Sequence, residues 1–316
     1  MLENLTIITT ARDGASYIPG YLRNLSPLLD MGCKLSFIDD FSEDNSLELI
    51  EERPHKNLRA IRNSEHYGPG KSRNEALKKV DTRYFTVIDV DDWIEISRFI
   101  KTYEYIASHE NVDCVRVGHI KVVGKKRTIC PVPVKNFYMP LSREEQVGSR
   151  DNQSLVDYPF SWAGMYKTDA LLKEKILYDE IDTCEDRLFF WKLAMSDLTV
   201  VALPSLYYFY SRDPNPNANT QRADEKQLAF IDAYIHMQEY MREKGDDNSI
   251  HKLNRQMLAI IEHHLNRREL YNGKLQQRLL EGCAALVKSL PEVEKKLLIS
   301  EANAKRKEMI TLFAQY

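Results

Sequence analysis

The segment Tyr84–Trp93, YFTVIDVDDW, places three carboxylates, Asp89, Asp91 and Asp92, at the end of an apolar run. Ionised carboxylates cost too much to bury unpaired, so these must face solvent, a cation or a hydrogen-bond donor. Asp89 and Asp91 have the chemistry to share a divalent metal with the diphosphate of a nucleotide. The β-branched and aromatic residues before them read as a buried strand. The acids then stand at its C-terminal edge, the usual mouth of an open α/β sheet.

Other elements must bring partners to that edge. Leu5–Thr10 reads as a first strand, followed by the polar turn Ala11–Gly14 and a helical pattern over Tyr17–Leu29. Lys34–Ile38 is a second strand ending at Asp39 and Asp40, and Ser42, Asp44, Asn45 and Ser46 make a turn and cap for Leu47–Glu52. Leu58–Arg62, the glycine-containing turn Asn63–Gly70, a helix over Lys71–Val80 and the strand Tyr84–Ile88 follow. Strands alternating with helices at this spacing mean βαβ units. The fold class is therefore α/β, with a mostly parallel sheet flanked by helices.

Further along, Ile94–His109 is helical, and Asp113–Val123 and Arg127–Val134 suggest a hairpin around Gly124. Residues 135–157 are polar and resist assignment. Phe160–Tyr166 and a helix from Thr168 return to the core, Asp182–Ala194 joins an acidic turn to a helix, and Thr199–Tyr210 is an aromatic strand. Ser211–Thr220, SRDPNPNANT, is a loop by composition. Residues 222–316 nearly lack proline and show helical periodicity, as in Phe230–Met241 and Leu275–Leu290. The expected division is an α/β domain over 1–221 and a C-terminal helical accessory region over 222–316. Within it Lys252, Arg255, Arg267, Arg268, Lys274 and Arg278 outnumber Glu262 and Glu269. A basic helical face suits anionic lipid, a polymer or a partner subunit, so it raises peripheral membrane contact or a homo-oligomer. A solvated bundle face is the plainer alternative.

The bulk numbers exclude several classes. The 316 residues suffice for one large α/β domain and an accessory part. Hydrophobic residues at 43% and charged residues at 29% give an ordinary globular balance. A formal net charge of −3 gives no reason to expect nucleic acid as a partner. The five cysteines are scattered, with no CxxC pair, which suggests a reduced compartment and no cysteine zinc site. No run approaches the roughly 18 apolar residues that span a bilayer. LTIITTA passes straight into Arg12 and Asp13 without a secretory pattern. The expectation is a cytoplasmic protein, with peripheral contact at the inner face of the cell membrane left open.

Four segments in order resemble the family 2 glycosyltransferases, inverting nucleotide-sugar enzymes with the GT-A fold. They are ITTARDGASYIPGYLRNL at 8–25, FIDDFSEDNSLELI at 37–50, NSEHYGPGKSRNEALKKVDTRYFTVIDVDDW at 63–93 and CEDRLFFWKLA at 184–194. The resemblance covers roughly residues 4–212. It implies that the turn after the first strand, with Thr10 and Arg12, lies beside the nucleotide, and that Asp39 accepts an N–H of the base. Asp40 is then a turn stabiliser or helix cap. The family usually reads DDGS here, and this chain has Phe41 in place of the glycine. Gly68, Gly70, Lys71, Arg73 and Asn74 match a GxxxARN-like segment, in which Arg73 meets neighbouring acids or the diphosphate. GPGKS lacks the spacing of a P-loop.

Asp89–Val90–Asp91 corresponds to the DxD element. The resemblance implies Asp89 toward the ribose or a metal-bound water and Asp91 as the direct ligand of Mn²⁺ or Mg²⁺, with Asp92 as a possible cap for the following helix. Glu185 and Asp186 match the ED pair. Asp186 is the expected catalytic base, ionised and open to the cleft, with Glu185 as the alternative by register. Trp162, in PFSWAGMYKTDAL, and His119 are candidates for contact with the acceptor. Arg212 resembles an arginine that reaches the diphosphate, and Asn219 and Thr220 follow it in the loop. No histidine in that stretch offers a second protein ligand for the metal.

The resulting expectation is a metal-dependent inverting glycosyltransferase. It would move a hexose or N-acetylhexosamine from a UDP-sugar to a glycan or lipid-linked glycan acceptor in surface-polysaccharide synthesis. Two alternatives keep the fold. One is transfer of a sugar phosphate or polyol phosphate, and the other is a non-catalytic glycan-binding or assembly module.

Overall fold

A computed structural model describes residues 1–148, 153–212 and 224–316. They form two compact units. The first takes in residues 1–148, 153–180 and 185–212, and the second takes in 181–184 and 224–316. The expected boundary after residue 221, Asn219 and Thr220 lie outside the described residues.

The first unit is built on nine strands: β1 (Leu5–Ala11), β2 (Lys34–Asp39), β3 (Leu58–Arg62), β4 (Tyr84–Val87), β5 (Trp93–Ile94), β6 (Cys114–Val123), β7 (Lys126–Cys130), β8 (Gly164–Lys167) and β9 (Val200–Ser211). Their order is β3-β2-β1-β4-β8-β6-β9-β5, with β7 paired to β6. β1 to β4 are mutually parallel. β8 runs antiparallel to β4 and β6, while β9 is parallel to β6 and antiparallel to β5. The sheet is thus parallel in its first half and mixed in its second.

Its helices are α1 (Ile18–Asp30), α2 (Ser46–Glu51), α3 (Gly68–Leu77), α4 (Ile96–Ser108), α5 (Arg143–Val147), α6 (Thr168–Lys173) and α7 (Glu185–Met195). Consecutive strand residues point to opposite faces, and both faces are covered. Ile7, Leu35, Phe37 and Val117 pack with Leu25 and Leu29 of α1 and Phe99 and Ile106 of α4. Ile8, Ile38, Phe85 and Val87 pack with Leu77 of α3, Leu171 of α6 and Phe189 and Leu193 of α7. Burial on both faces is why these strands read as continuous apolar runs.

Local signals explain several boundaries. α4 buries Phe99, Thr102, Tyr103 and Ile106, one stripe at helical spacing. It begins at Ile96, not Ile94, because Trp93 and Ile94 pair with Phe209 and Tyr208. Glu95 then caps it, accepting from the N–H groups of Ser97 (3.2 Å) and Arg98 (2.8 Å). The unassigned stretch contains α5, opened by a reciprocal capping box between Ser142 and Glu145.

The second unit contains α8 (Phe230–Lys244), α9 (Asp247–Leu265), α10 (Gly273–Lys288), α11 (Glu292–Glu301) and α12 (Ala304–Gln315). Its core includes Phe230, Met237, Met257, Ile261, Leu279, Val287 and Ile310. The basic residues differ in exposure and pairing. Lys252 is buried, Arg278 pairs with Glu225 at 3.2 Å and Arg268 with Glu269 at 3.3 Å. Among the described residues no helix is long and apolar enough to cross a membrane.

Candidate active site

Register brings the marked acids to one edge. Ala11 lies beside Asp39, so β1 and β2 end level, and β4 ends with Val87 beside Ile8, so the acidic turn that follows it runs on toward the same edge. Asp40 anchors the neighbouring turn. Its carboxylate accepts from Asn63 Nδ2 (2.8 Å), the N–H groups of Tyr67 (2.8 Å) and Gly68 (2.9 Å), and Ser72 Oγ (3.1 Å), and it meets His66 Nδ1 at 2.8 Å. Burial works to raise its pKa, but these donors outweigh burial and hold the carboxyl below its ordinary value. Asp40 therefore ties β2 to the start of α3, the turn-holding place suggested by the sequence.

Asp39 is fully buried. Its Oδ2 accepts from Ser42 N–H (3.3 Å) and lies 3.4 Å from Arg62 Nη1, while Oδ1 has no partner. Phe41 stands at φ 62, in the left-handed region that suits glycine; it is 41% exposed, with Arg62 over its ring at 5.5 Å. That conformation is the physical reason for a glycine in the DDGS form of the turn. Thr10 is half-buried at the end of β1. Arg12 leans toward Asp13 (3.6 Å) and Glu43 (3.8 Å), acids of the adjoining turns.

Arg73 is the junction of the site. It is buried on α3 and donates to Asp89 Oδ1 (3.2 Å) and Glu185 Oε1 (2.6 Å), while its Nε has no partner. One cation on α3 thus joins the turn after β4 to the start of α7, reaching a glutamate 112 positions along the chain from itself. Gly70 permits the approach, because a Cβ there would lie 1.8 Å from the Asp179 carbonyl oxygen and 3.1 Å from Glu185 Cβ. Asn74 extends the seam. It donates to the Tyr178 carbonyl (3.0 Å) and accepts from the Tyr178 N–H (2.9 Å), so it holds the backbone before α7.

Two carboxylates in the cluster lack such partners. Asp91 is half-buried, and its carboxylate has no hydrogen bond to another residue among the described residues. Burial first, then the charge of Asp89, push its carboxyl up to about 6. Asp186 is also half-buried at the first turn of α7 without a side-chain partner among the described residues. Burial and then Glu185 hold it well above the usual carboxylate range, against the pull of Arg187 and Arg73. This corrects the expectation of an open, always ionised base: Asp186 binds its proton more tightly than an exposed aspartate. Glu185 is held by Arg73, which leaves Asp186 as the free member of the pair.

Asp92 does not cap α4, since Glu95 does. It is buried, accepts from Tyr208 Oη (2.7 Å) and Ser211 N–H (2.6 Å), and pins the end of β9 to the acidic turn. Tyr208 Oη in turn accepts the Asp89 N–H at 3.1 Å. The sequence reading missed Tyr208. Its signal was present in the aromatic run LYYFY, but strand alternation alone does not say which tyrosine faces the acids.

The acceptor candidates are placed differently from expectation. Trp162 is 5% exposed, stacked between Phe160 (4.6 Å) and Tyr208 (4.2 Å), so neither ring face is open to a sugar. His119 is buried against Tyr158, Phe160, Trp162 and Tyr210, and burial pushes it down to about 4, so its ring is neutral. Both belong to an aromatic stack behind the acidic turn. Arg212 lies at the end of β9, with its N–H on the Val122 carbonyl (2.8 Å) and Nη1 3.4 Å from Tyr210 Oη. Among the described residues no three His, Cys, Asp or Glu side chains converge as a metal-binding group.

The family model for glycosyl transferase family 2 matches residues 6–169, more than half of the chain, and takes in the Asp39, Arg73 and DVD positions. The chain belongs to glycosyl transferase family 2. This family 2 chain is 28% identical over 178 residues to poly(ribitol-phosphate) beta-N-acetylglucosaminyltransferase TarS of Staphylococcus aureus, a match covering 55% of the chain and 29% of that protein. It is 33% identical over 115 residues to a teichoic acid poly(glycerol phosphate) polymerase of Staphylococcus epidermidis, covering 35% of the chain and 16% of the polymerase. It therefore spans less than a third of either relative. The crystal structure of S. aureus TarS 1-349 in complex with UDP-GlcNAc is similar in fold, with a TM-score of 0.74 at 18% identity over 98% of this chain and 88% of that one. The fold of the family 2 chain is GT-A.

Proposed function

We propose that the chain transfers a hexose or N-acetylhexosamine, with inversion, from a UDP-sugar to a polyol-phosphate polymer of the cell surface. The carrying observation is the arrangement around Arg73. It fixes Asp89 and Glu185 and leaves Asp91 and Asp186 without partners, the former beside the DxD turn and the latter at the start of α7. The acceptor class follows the relative that acts, by its name, on poly(ribitol phosphate).

In this reading the unpartnered Asp39 Oδ1 accepts an N–H of the uracil, and Thr10 and Arg12 border the nucleotide. Asp91 and Asp89 would hold Mn²⁺ or Mg²⁺, since the raised Asp91 carboxyl marks negative charge that no protein cation offsets. Such an ion supplies charge compensation for the departing diphosphate. Arg212 lies at the same strand end and adds positive charge. Asp186 removes the proton of the acceptor hydroxyl as that oxygen attacks the anomeric carbon. Its raised proton affinity makes it a stronger base than an ordinary aspartate, and Arg73 keeps Glu185 out of competition.

The test is turnover of UDP-GlcNAc and UDP-glucose on poly(ribitol phosphate) with Mn²⁺ or Mg²⁺, with NMR of the product. A β-linked sugar, from the α-linked donor, is expected, and Asp186→Asn should lower kcat by roughly 10²–10⁴. Undiminished kcat in that variant would remove Asp186 from the mechanism. Similarity to a poly(glycerol phosphate) polymerase keeps one second reading, polyol-phosphate transfer. It would add phosphorus to the acceptor, which ³¹P NMR and product mass would detect.

A further inference from the structure

The outer edge of β9 is covered in two places. Tyr138 N–H donates to the Ala202 carbonyl (2.9 Å) and Leu141 N–H to the Val200 carbonyl (2.8 Å), so 138–141 lies along its first residues. β5 covers Tyr208 and Phe209. Between these points β9 leaves the sheet. Leu203 is paired with Val117 and Tyr208 with His119, so β9 advances five residues where β6 advances two. The extra chain bulges outward with Pro204 exposed. Gly118 accommodates it, since a Cβ there would lie 2.7 Å from Leu206 Cδ2 and 2.8 Å from the Cys130 carbonyl oxygen.

Between the bulge and α4 runs a groove of about 450 Å³. Arg98, Lys101, Tyr105 and Tyr138 give it two cations and two phenol rings, and no carboxylate lines it. Lys101 has no acidic partner among the described residues, whereas Arg98 lies 3.8 Å from Glu95 Oε2 and donates to the Leu206 carbonyl at 3.2 Å. The Tyr105 and Tyr138 rings lie 5.7 Å apart. Tyr138 holds φ 64 and is 59% exposed. A bulky residue in the left-handed region is strained, and here burial of the ring offers no compensation, a pattern found at ligand-binding positions.

We propose that this groove is a second acceptor-holding site, away from the reacting hydroxyl, which takes a phosphodiester-linked polyol chain bearing sugars. Charge selects this occupant: on a chain of net charge −3, a concave surface lined by two cations, of which Lys101 has no acidic partner among the described residues, suits phosphate. The phenol rings suit the apolar faces of sugars. The proposal rests on the polyol-phosphate acceptor reading above, and its readout is kept separate from turnover.

The experiment compares the full chain with a Lys101→Glu/Tyr138→Gly double variant, both positions being exposed and glycine suiting the backbone at 138. Affinity electrophoresis is run through gels containing purified poly(ribitol phosphate), bare or sugar-bearing, and through gels containing neutral dextran. The wild type is expected to be retarded by the polymer, most by the sugar-bearing form, with apparent affinity about tenfold lower in the double variant. On long polymer the variant's KM should rise with kcat unchanged, and turnover on a single ribitol phosphate should match wild type. No retardation of the wild type, equal retardation of both proteins, or equal retention by dextran would each overturn the proposal. So would altered self-association of the variant, by sedimentation, with unchanged retention. Because the gels contain no donor, loss of all turnover would count against the transferase reading and leave the groove to the gels.

Discussion

At the level of single residues, Asp186 and Glu185 show how one position in the sequence decides a role. The sequence marks both acids and cannot separate them, because they differ only in what lies across the sheet edge. Arg73 takes Glu185 at 2.6 Å and leaves its neighbour unpaired. The raised pKa of Asp186 has a definite sign for stability. The folded state holds the proton more tightly than the unfolded chain, so the contribution is full below the unfolded value, near 3.9. It is lost as pH rises through the raised folded value. Asp186→Asn removes that loss. The variant should melt above wild type at pH 8 and lose the difference near pH 4, while its kcat falls. The wild-type kcat/KM should rise with pH on its acidic limb, at a pH above that of an ordinary carboxylate. Melting curves at the two pH values decide it; a variant less stable than wild type at pH 8 would contradict the assigned direction.

At the level of elements, the parallel half of the sheet was legible because its strands carry apolar runs and its turns carry glycine, asparagine and acids. The hairpin of β6 and β7 was legible for the same reason. The reach of Arg73 and the closed stack around Trp162 were not, since both depend on contacts far apart in the chain. The β9 bulge had a signal in Pro204, since a proline inside a strand belongs at an edge or a bulge, but it does not say how many residues leave the sheet. Gly70 is the case where a turn signal had a second meaning. It reads as freedom for the chain, but its use is clearance for the Asp179 carbonyl, with a Cβ falling only 1.8 Å away. That atom belongs to backbone and cannot swing aside. Gly70→Ala should therefore push α3 from the segment before α7, at a cost of about 1–3 kcal/mol or more. The Arg73–Glu185 bridge would stretch with it. Both the melting temperature and kcat should fall, and a variant matching wild type in both would show that the approach of these segments is not needed.

At the level of the whole molecule, composition located the helical character of 222–316, and the family 2 motifs located the α/β unit. Neither net charge nor helical periodicity revealed where individual charges lie. The basic residues of the helical unit differ in exposure and pairing, and its notable polar feature is His251, buried between Glu294 and Glu301 with a ring nitrogen 2.9 Å from each. Asn254 Nδ2 also donates to Glu294 at 3.1 Å. These contacts fasten α9 to α11 at both ends of the latter. His251→Ala leaves two largely buried carboxylates short of a partner, a loss of about 1–3 kcal/mol. Each unit has its own buried core, so a single all-or-none transition is not required of this chain. Calorimetry with and without UDP and Mn²⁺ should resolve a component that His251→Ala lowers and nucleotide leaves in place, together with one that nucleotide raises. If the substitution and the nucleotide move the same single transition, the two cores unfold as one, and donor binding is then coupled to the helical unit.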